Sequence, residues 1–256
     1  MDTIHALIFG IVEGLTEFLP ISSTGHLILT AKIFGLAQTD FLKSFEIAIQ
    51  LGAILAVVVL YWKKLLVDME IFKKVLTAFI PTAILGLVLY KIIKKVLLNS
   101  YEVVLWSLFL GGIFLIIFEY WHRGKKTGID DLKKISYSTA LLIGVFQSMA
   151  MVPGISRAAA TIVGGLLLGV TRQTIVEFSF LLAVPTMAAA TALDLLKTAH
   201  AFSLGQMEFL AVGFVSSFVV AIFSIKFLLY FIKNHTFIGF GVYRVCIALL
   251  FWFVLR

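Results

Sequence analysis

Apolar runs of about 20 residues recur along the whole chain, and a helix of that length crosses a hydrocarbon core of roughly 30 Å. No soluble fold of 256 residues can bury so many of them, because its surface must carry polar groups. Charged residues make up 14% of the chain, against about 25% in ordinary globular proteins. The apolar spacing is helical, not the ten-residue alternation of an outer-membrane barrel. The expected fold class is therefore all-α: a polytopic membrane protein with one membrane domain over 1–256. The net charge of +7 does not indicate a nucleic-acid partner. Its Lys and Arg residues cluster in short connections, where the positive-inside rule places them. Cys246, inside an apolar run, reads as packing, with no disulfide partner and no metal-ligand spacing. The N-terminus has no basic segment or small-residue cleavage site, so no cleaved signal peptide is expected.

Six segments read as full spans, at about 45–62, 75–93, 103–121, 177–197, 208–233 and 236–255. Two other apolar regions, 4–36 and 137–170, are broken in the middle by Pro, Gly and Ser. The breaks are Pro20-Ile21-Ser22-Ser23-Thr24-Gly25-His26 and Pro153-Gly154-Ile155-Ser156-Arg157. Each half is too short to span. Broken backbone at membrane depth survives only where protein or a wet cavity surrounds it. Both regions are thus expected to be re-entrant helical hairpins with their tips inside the membrane. Gly10, Glu13 and Ser22 line up with Gly144, Gln147 and Ser156 at a constant offset, and Phe45-Glu46 and Val176-Glu177 each open a span. The order is hairpin plus three spans, twice, over 1–121 and 137–256 with a connection at 122–136. An odd number of spans inverts the second copy, so an inverted-topology repeat is expected, with a site near the midplane.

Basic connections set the orientation. Lys63, Lys64, Lys73 and Lys74, then Arg123, Lys125, Lys126, Lys133 and Lys134, then Lys226, Lys233 and His235 alternate as cytoplasmic loops should. The connection near 198–207 has no Lys or Arg and suits the outside. Lys91, Lys94 and Lys95 depart from the rule. Both termini are expected outside.

Glu13 and Glu17 lie four residues apart and share one helix face. Two carboxylates in a bilayer are expensive unless a cation neutralises them, and hard divalent ions such as Mg²⁺ or Ca²⁺ prefer carboxylate oxygens. The structural alternative is an interfacial helix with both groups solvated. Pro20 to His26 read as a helix start, with Ser22, Ser23 and Thr24 able to cap its donors. A helix N-terminus inside the membrane is an anion site. The second hairpin repeats the device with Ser156, and Thr161 one turn on, and adds Arg157, whose planar fork grips phosphate. An internal ion pair with Glu13 or Glu17 is the structural alternative for Arg157. His26 is a candidate base or nucleophile beside these carboxylates and hydroxyls. Glu46, Gln50, Glu177, Asp194 and Arg244 read primarily as structural.

The stretch from Glu13 to His26, Glu-Gly-Leu-Thr-Glu-Phe-Leu-Pro-Ile-Ser-Ser-Thr-Gly-His, and the stretch Pro153-Gly-Ile-Ser-Arg157 resemble the two signatures of the bacterial undecaprenyl-diphosphatases of the bacitracin-resistance type. The resemblance extends over the whole length, including Phe45-Glu46 and Tyr243-Arg244. It departs at Ala158-Ala159, where many members have Ser and Gly. The resemblance implies hydrolysis of undecaprenyl diphosphate to undecaprenyl phosphate and phosphate, lipid-carrier recycling for the cell wall, and bacitracin tolerance. It implies a multi-pass protein of the bacterial inner membrane, with its site open to the outer side. Glu13 and Glu17 would hold a divalent metal, Mg or Ca. Arg157 would clamp the diphosphate. Ser22, Thr24, Ser156, Thr161 and Gly154 would bind substrate, and His26 or Ser23 would attack or activate water. The expected partners are the polyprenyl diphosphate and membrane lipids, with room for a homodimer. The rival readings are a transporter or lipid flippase, since broken inverted repeats are typical of carriers, and more distantly a membrane scaffold.

Overall fold

The computed structural model describes residues 1–37, 39–92, 101–122, 128–198 and 206–254. Among them are ten α-helices: α1 (Thr3–Thr16), α2 (Ser23–Ile33), α3 (Asp40–Trp62), α4 (Met69–Ile92), α5 (Tyr101–His122), α6 (Tyr137–Ser148), α7 (Arg157–Leu167), α8 (Arg172–Thr198), α9 (Met207–Phe231) and α10 (Ile238–Val254). No strand is present in the described residues beyond an isolated bridge between Ile129 and Val170. Five helical stretches are long and apolar enough to cross a membrane: Phe41–Val67, Met69–Leu89, Tyr101–His122, Arg172–Asp194 and Met207–Phe231. The sixth expected span is shorter, a helix of 17 residues at α10. Lys94, Lys95, Arg123, Lys125 and Lys126 of the expected loops lie outside the described residues.

Four short helices form the two broken regions, and each starts at a side-chain cap. Asp2 accepts from the His5 amide at 2.8 Å, Ser136 from Thr139 at 3.1 Å, and Ser156 from Ala159 at 3.2 Å. Ser22 caps α2 more loosely, at 3.4 Å from the Gly25 amide. At the buried tips, Ser22 and Ser156 satisfy helix donors that would otherwise face hydrocarbon. The bounds of the pairs correspond: α1 and α6 begin at 3 and 137, and α2 and α7 run 23–33 and 157–167, so both helices of the second pair follow their counterparts at the same interval.

The spans α3 and α8 cross the middle of the molecule in contact with each other. They are antiparallel. Ser44 near the start of α3 donates to Asp194 near the end of α8 at 3.4 Å, while Lys64 beyond the end of α3 pairs with Glu177 near the start of α8. Each follows its hairpin directly, so the hairpins open at opposite ends. The first is closed at its mouth by His5 against Phe34, with ring centroids 4.6 Å apart. The second is closed by mutual amide–carbonyl bonds joining Ile129 to Gly169 and Thr171, both 2.9 Å. The tips meet between them, where the Ser156 hydroxyl donates to the Leu19 carbonyl at 3.4 Å.

Packing of the halves is reciprocal. α1 lies on α9 as α6 lies on α4, and α5 lies against α10. The corresponding glycines make both short-helix contacts possible. A Cβ on Gly10 would fall 2.4 Å from the Gly213 carbonyl oxygen, and one on Gly144 would fall 1.9 Å from that of Ala78. Only a residue without a side chain lets these backbones touch. Replacing Gly10 or Gly144 with Val is expected to destabilise the protein by about 1–3 kcal/mol or more. Thermal unfolding in detergent checks this. Gly239→Val, where a Cβ meets no atom within 4 Å, should leave the transition nearly in place.

Candidate active site

The first break is built around one unusual residue. α1 ends at Thr16, and the Glu17 amide still donates to the Glu13 carbonyl at 2.9 Å, which keeps the two carboxylates on one face. The chain then turns through Pro20, which lies in the turn ahead of the cap instead of in the first helical turn. Ser22 takes φ 72°, ψ 95°, the one non-glycine residue at positive φ among the described residues. Such a conformation costs roughly 1–3 kcal/mol and persists only where its surroundings hold it. His26 supplies part of that hold: its amide and its ring Nδ1 both donate to the Ser22 carbonyl, at 3.3 and 2.7 Å.

Arg244 of α10 ties both breaks together. Its guanidinium donates to the carbonyls of Pro20 at 3.4 Å, Ser107 at 3.0 Å and Gly154 at 2.9 Å. The side chain is 1% exposed. Gly111 leaves room for it, since a Cβ there would lie 2.3 Å from a guanidinium nitrogen. Gly154, at φ 90°, packs so closely on α5 that a Cβ would sit 2.7 Å from the Val104 oxygen. Gly154 thus serves the second break through its carbonyl and its lack of a side chain.

Where the tips meet there is a cavity of about 140 Å³, lined by Glu17, Ser22, Ser23, Thr24, Ser156 and Arg157, with Gln50, Ala150, Ile155 and Met187 completing the wall. Its polar side chains are wired to one another. Ser23 donates to Glu17 through a short contact with Oε2. Arg157 pairs with the other oxygen, its Nη2 3.1 Å and its Nε 3.4 Å from Glu17 Oε1. Nη1 donates to the Ser179 carbonyl at 2.9 Å. The arrangement is an anion cradle with one cation already balanced by a carboxylate.

Several expected residues lie just outside this cavity. Glu13 is fully buried, both its oxygens lack a hydrogen-bond partner, and the charges acting on it are Glu17, Glu46 and Arg157. Thr161 stands behind Arg157, with its hydroxyl 2.6 Å from Ser179 and 2.9 Å from the Arg157 carbonyl oxygen. His26 points away: its Nε2 lies 2.9 Å from the Tyr243 hydroxyl, and the two rings are nearly parallel. A carbonyl can only accept, so Nδ1 carries the proton, and in the neutral ring Nε2 accepts from Tyr243. Sequence reasoning missed Ser179, which nothing but its hydroxyl within an apolar run would signal, and Met187, which carries no signal. Gln50, Tyr243 and Arg244 stand out in the sequence as polar groups in or beside apolar runs, but their neighbours there do not connect them to the site.

Truncating Arg244 would strand the Pro20 and Gly154 carbonyls away from water, and each unsatisfied buried group costs about 1–3 kcal/mol. Arg244→Ala is therefore expected to lower both the unfolding temperature and turnover. Arg244→Lys should recover only part of each, because one ammonium cannot span three acceptors. Detergent-phase melting together with phosphate-release assays would show it.

Comparison with known proteins shows the family. The family described as "Bacitracin resistance protein BacA" matches residues 6–250. A protein named undecaprenyl-diphosphatase from Sulfurihydrogenibium sp. (strain YO3AOP1) is 57% identical over 252 residues, covering 98% of this chain and 99% of the relative. Proteins of the same name from Persephonella marina and Aquifex aeolicus are 53% and 51% identical, covering 98% and 96% of both partners. With a match over nearly the full length and a site assembled from both signature stretches, the chain belongs to the bacitracin resistance protein BacA family.

Proposed function

We propose that the chain is an integral membrane phosphatase that hydrolyses undecaprenyl diphosphate to undecaprenyl phosphate and inorganic phosphate. The observation that carries this reading is the meeting of Ser23, Glu17 and Arg157 in one cavity at the hairpin tips. Phosphoryl transfer asks mainly for positioning and charge stabilisation. Arg157 exchanges Glu17 for the diphosphate oxygens, guided by the α2 and α7 N-termini and by Ser22, Thr24 and Ser156. The freed Glu17 is the nearest base to Ser23. Ser23 Oγ attacks the terminal phosphorus, its proton passes to Glu17, and Glu17 hands that proton to the departing undecaprenyl phosphate. Water then attacks the phosphoserine, with the again-ionised Glu17 taking the water's proton and returning it to Ser23 Oγ as inorganic phosphate leaves.

A divalent cation fits the residues present. Among the described residues no three His, Cys, Asp or Glu side chains gather around one point. Mg²⁺, however, is usually held by one or two carboxylates together with substrate phosphates. Glu13, buried with both oxygens unpartnered, and Glu17 would hold it. When bound, it would neutralise charge on the diphosphate. The halves 1–121 and 137–256, joined by 122–136, are read as inverted repeats. The shared interval between corresponding helices and the reciprocal packing support this. The setting is the bacterial inner membrane, with the site facing outward. The same reciprocal packing favours a carrier as the second reading. Mg²⁺-dependent phosphate release by purified protein decides between them.

Glu13→Gln and Glu17→Gln are each expected to abolish most metal-dependent turnover while the protein stays folded. Near-parental rates in both at saturating Mg²⁺ would remove the metal-site assignment. Ser23→Ala should cost at least about 10²-fold, as loss of an activated nucleophile does. His26 is read as a loop-holding residue, so His26→Asn, whose amide can donate to the Ser22 carbonyl, should stay within about tenfold of the parent. His26→Ala should fall further. Equal inactivity of the two His26 variants would instead make the imidazole the base.

A further inference from the structure

We propose that a groove at the lysine-rich end of the bundle binds the headgroup of an anionic phospholipid. This groove is remote from the cavity and independent of the phosphatase reading. It exists because α3 does not pass directly into α4. Tyr61 leaves helical geometry (φ −121°, ψ 19°), the chain widens into a π-helical turn over Lys63–Val67, and Asp68 then opens α4. Single π-turns of this kind recur at functional positions. The resulting groove measures about 480 Å³ and is lined by Lys63, Lys64, Val67, Asp68, Met69 and, from a segment far along the chain, Lys133.

Charge and position together select the ligand. Three ammonium groups face one lining carboxylate. Lys133 is paired with Asp68 at 2.7 Å, and Lys64 with Glu177 behind the groove. Lys63 meets no carboxylate among the described residues, and its Nζ lies over the Trp62 ring, 5.6 Å from the centroid. The groove thus keeps one uncompensated cation beside two others. It sits where the span Phe41–Val67 ends, and Leu66 and Val67 are 67% and 65% exposed there. A free phosphate needs only the ammonium groups. A phospholipid uses the apolar rim as well, with its chains along Leu66 and Val67 and Trp62 at headgroup level, where Trp concentrates. Lysine-rich connections mark the cytoplasmic side, whose leaflet carries the anionic lipids that such pockets take.

The test uses full-length protein in detergent micelles with phosphatidylglycerol and phosphatidylcholine at equal concentration, and native mass spectrometry counts the retained lipid. Phosphatidylglycerol should be retained preferentially. Lys63→Gln should weaken that retention about fivefold, the effect of one lysine near a charged surface. Lys226→Gln, which removes an exposed lysine toward the same end of α9, should leave it unchanged, and phosphate release should be parental in both variants. Equal retention of the two lipids, or equal losses in the two variants, would overturn a defined site in favour of diffuse attraction. Complete displacement of phosphatidylglycerol by millimolar inorganic phosphate would overturn the lipid assignment in favour of a simple anion site.

Discussion

Hydrocarbon offers no water to a peptide group, so a chain that breaks its helices at membrane depth must supply partners from its own side chains. Here one guanidinium meets part of that demand in both breaks at once. Arg244 donates to carbonyls from the first break, from α5 and from the second break at once. Five N–H groups in a fixed fork make this possible, which no lysine could match. Because Pro20 and Gly154 are tied to the same group, the two tips cannot drift independently. The positions of Ser23 and Arg157, each a few residues along from an anchored carbonyl, depend on that tie.

The charges within the cavity have a second organisation. Arg157 and Glu17 neutralise each other across the two hairpins, so the site is electrically quiet when nothing else occupies it. In the proposed reaction a diphosphate competes with Glu17 for the guanidinium, and the displaced carboxylate is left free to act on Ser23. Binding and activation would then be a single exchange of partners. The corresponding position in the second hairpin shows what happens without such a demand. Gln147, which stands on α6 where Glu13 stands on α1, donates to the hydroxyls of Thr82 at 2.9 Å and Thr186 at 3.0 Å. The amide is neutral and ties helices together, whereas the carboxylate of Glu13 is fully buried beside a second carboxylate, Glu17. Only one of the two related positions has been kept costly.

Features set by local chemistry were legible in the sequence. Pro, Gly and Ser inside apolar runs can mean little else than broken helices, and the four-residue interval of Glu13 and Glu17 survives into the structure. An ion pair of Arg157 was the alternative to phosphate binding, and the structure contains it. Direction across the interior was not legible. Ser23 and His26 share the first turn of α2, yet Ser23 faces the cavity and His26 is drawn to the Ser22 carbonyl and to Tyr243, which stands on α10 at the other end of the chain. Thr161, one turn beyond Arg157, proves to brace it from behind through Ser179. Arg244 announced itself as a charge in an apolar run, but nothing around it says which carbonyls it will meet.

Arg244 stands on α10, and α10 is made after all the other helices. Until α10 is in place, the carbonyls of Pro20 and Gly154 lack the donor that Arg244 supplies. A nascent chain therefore passes through a period in which its hairpin tips are poorly held and its cavity has no settled shape. Arrival of α10 ends that period in one step. The order of synthesis becomes a safeguard: a ribosome that stalls early leaves behind a membrane-bound fragment with every nominal site residue and no working arrangement of them.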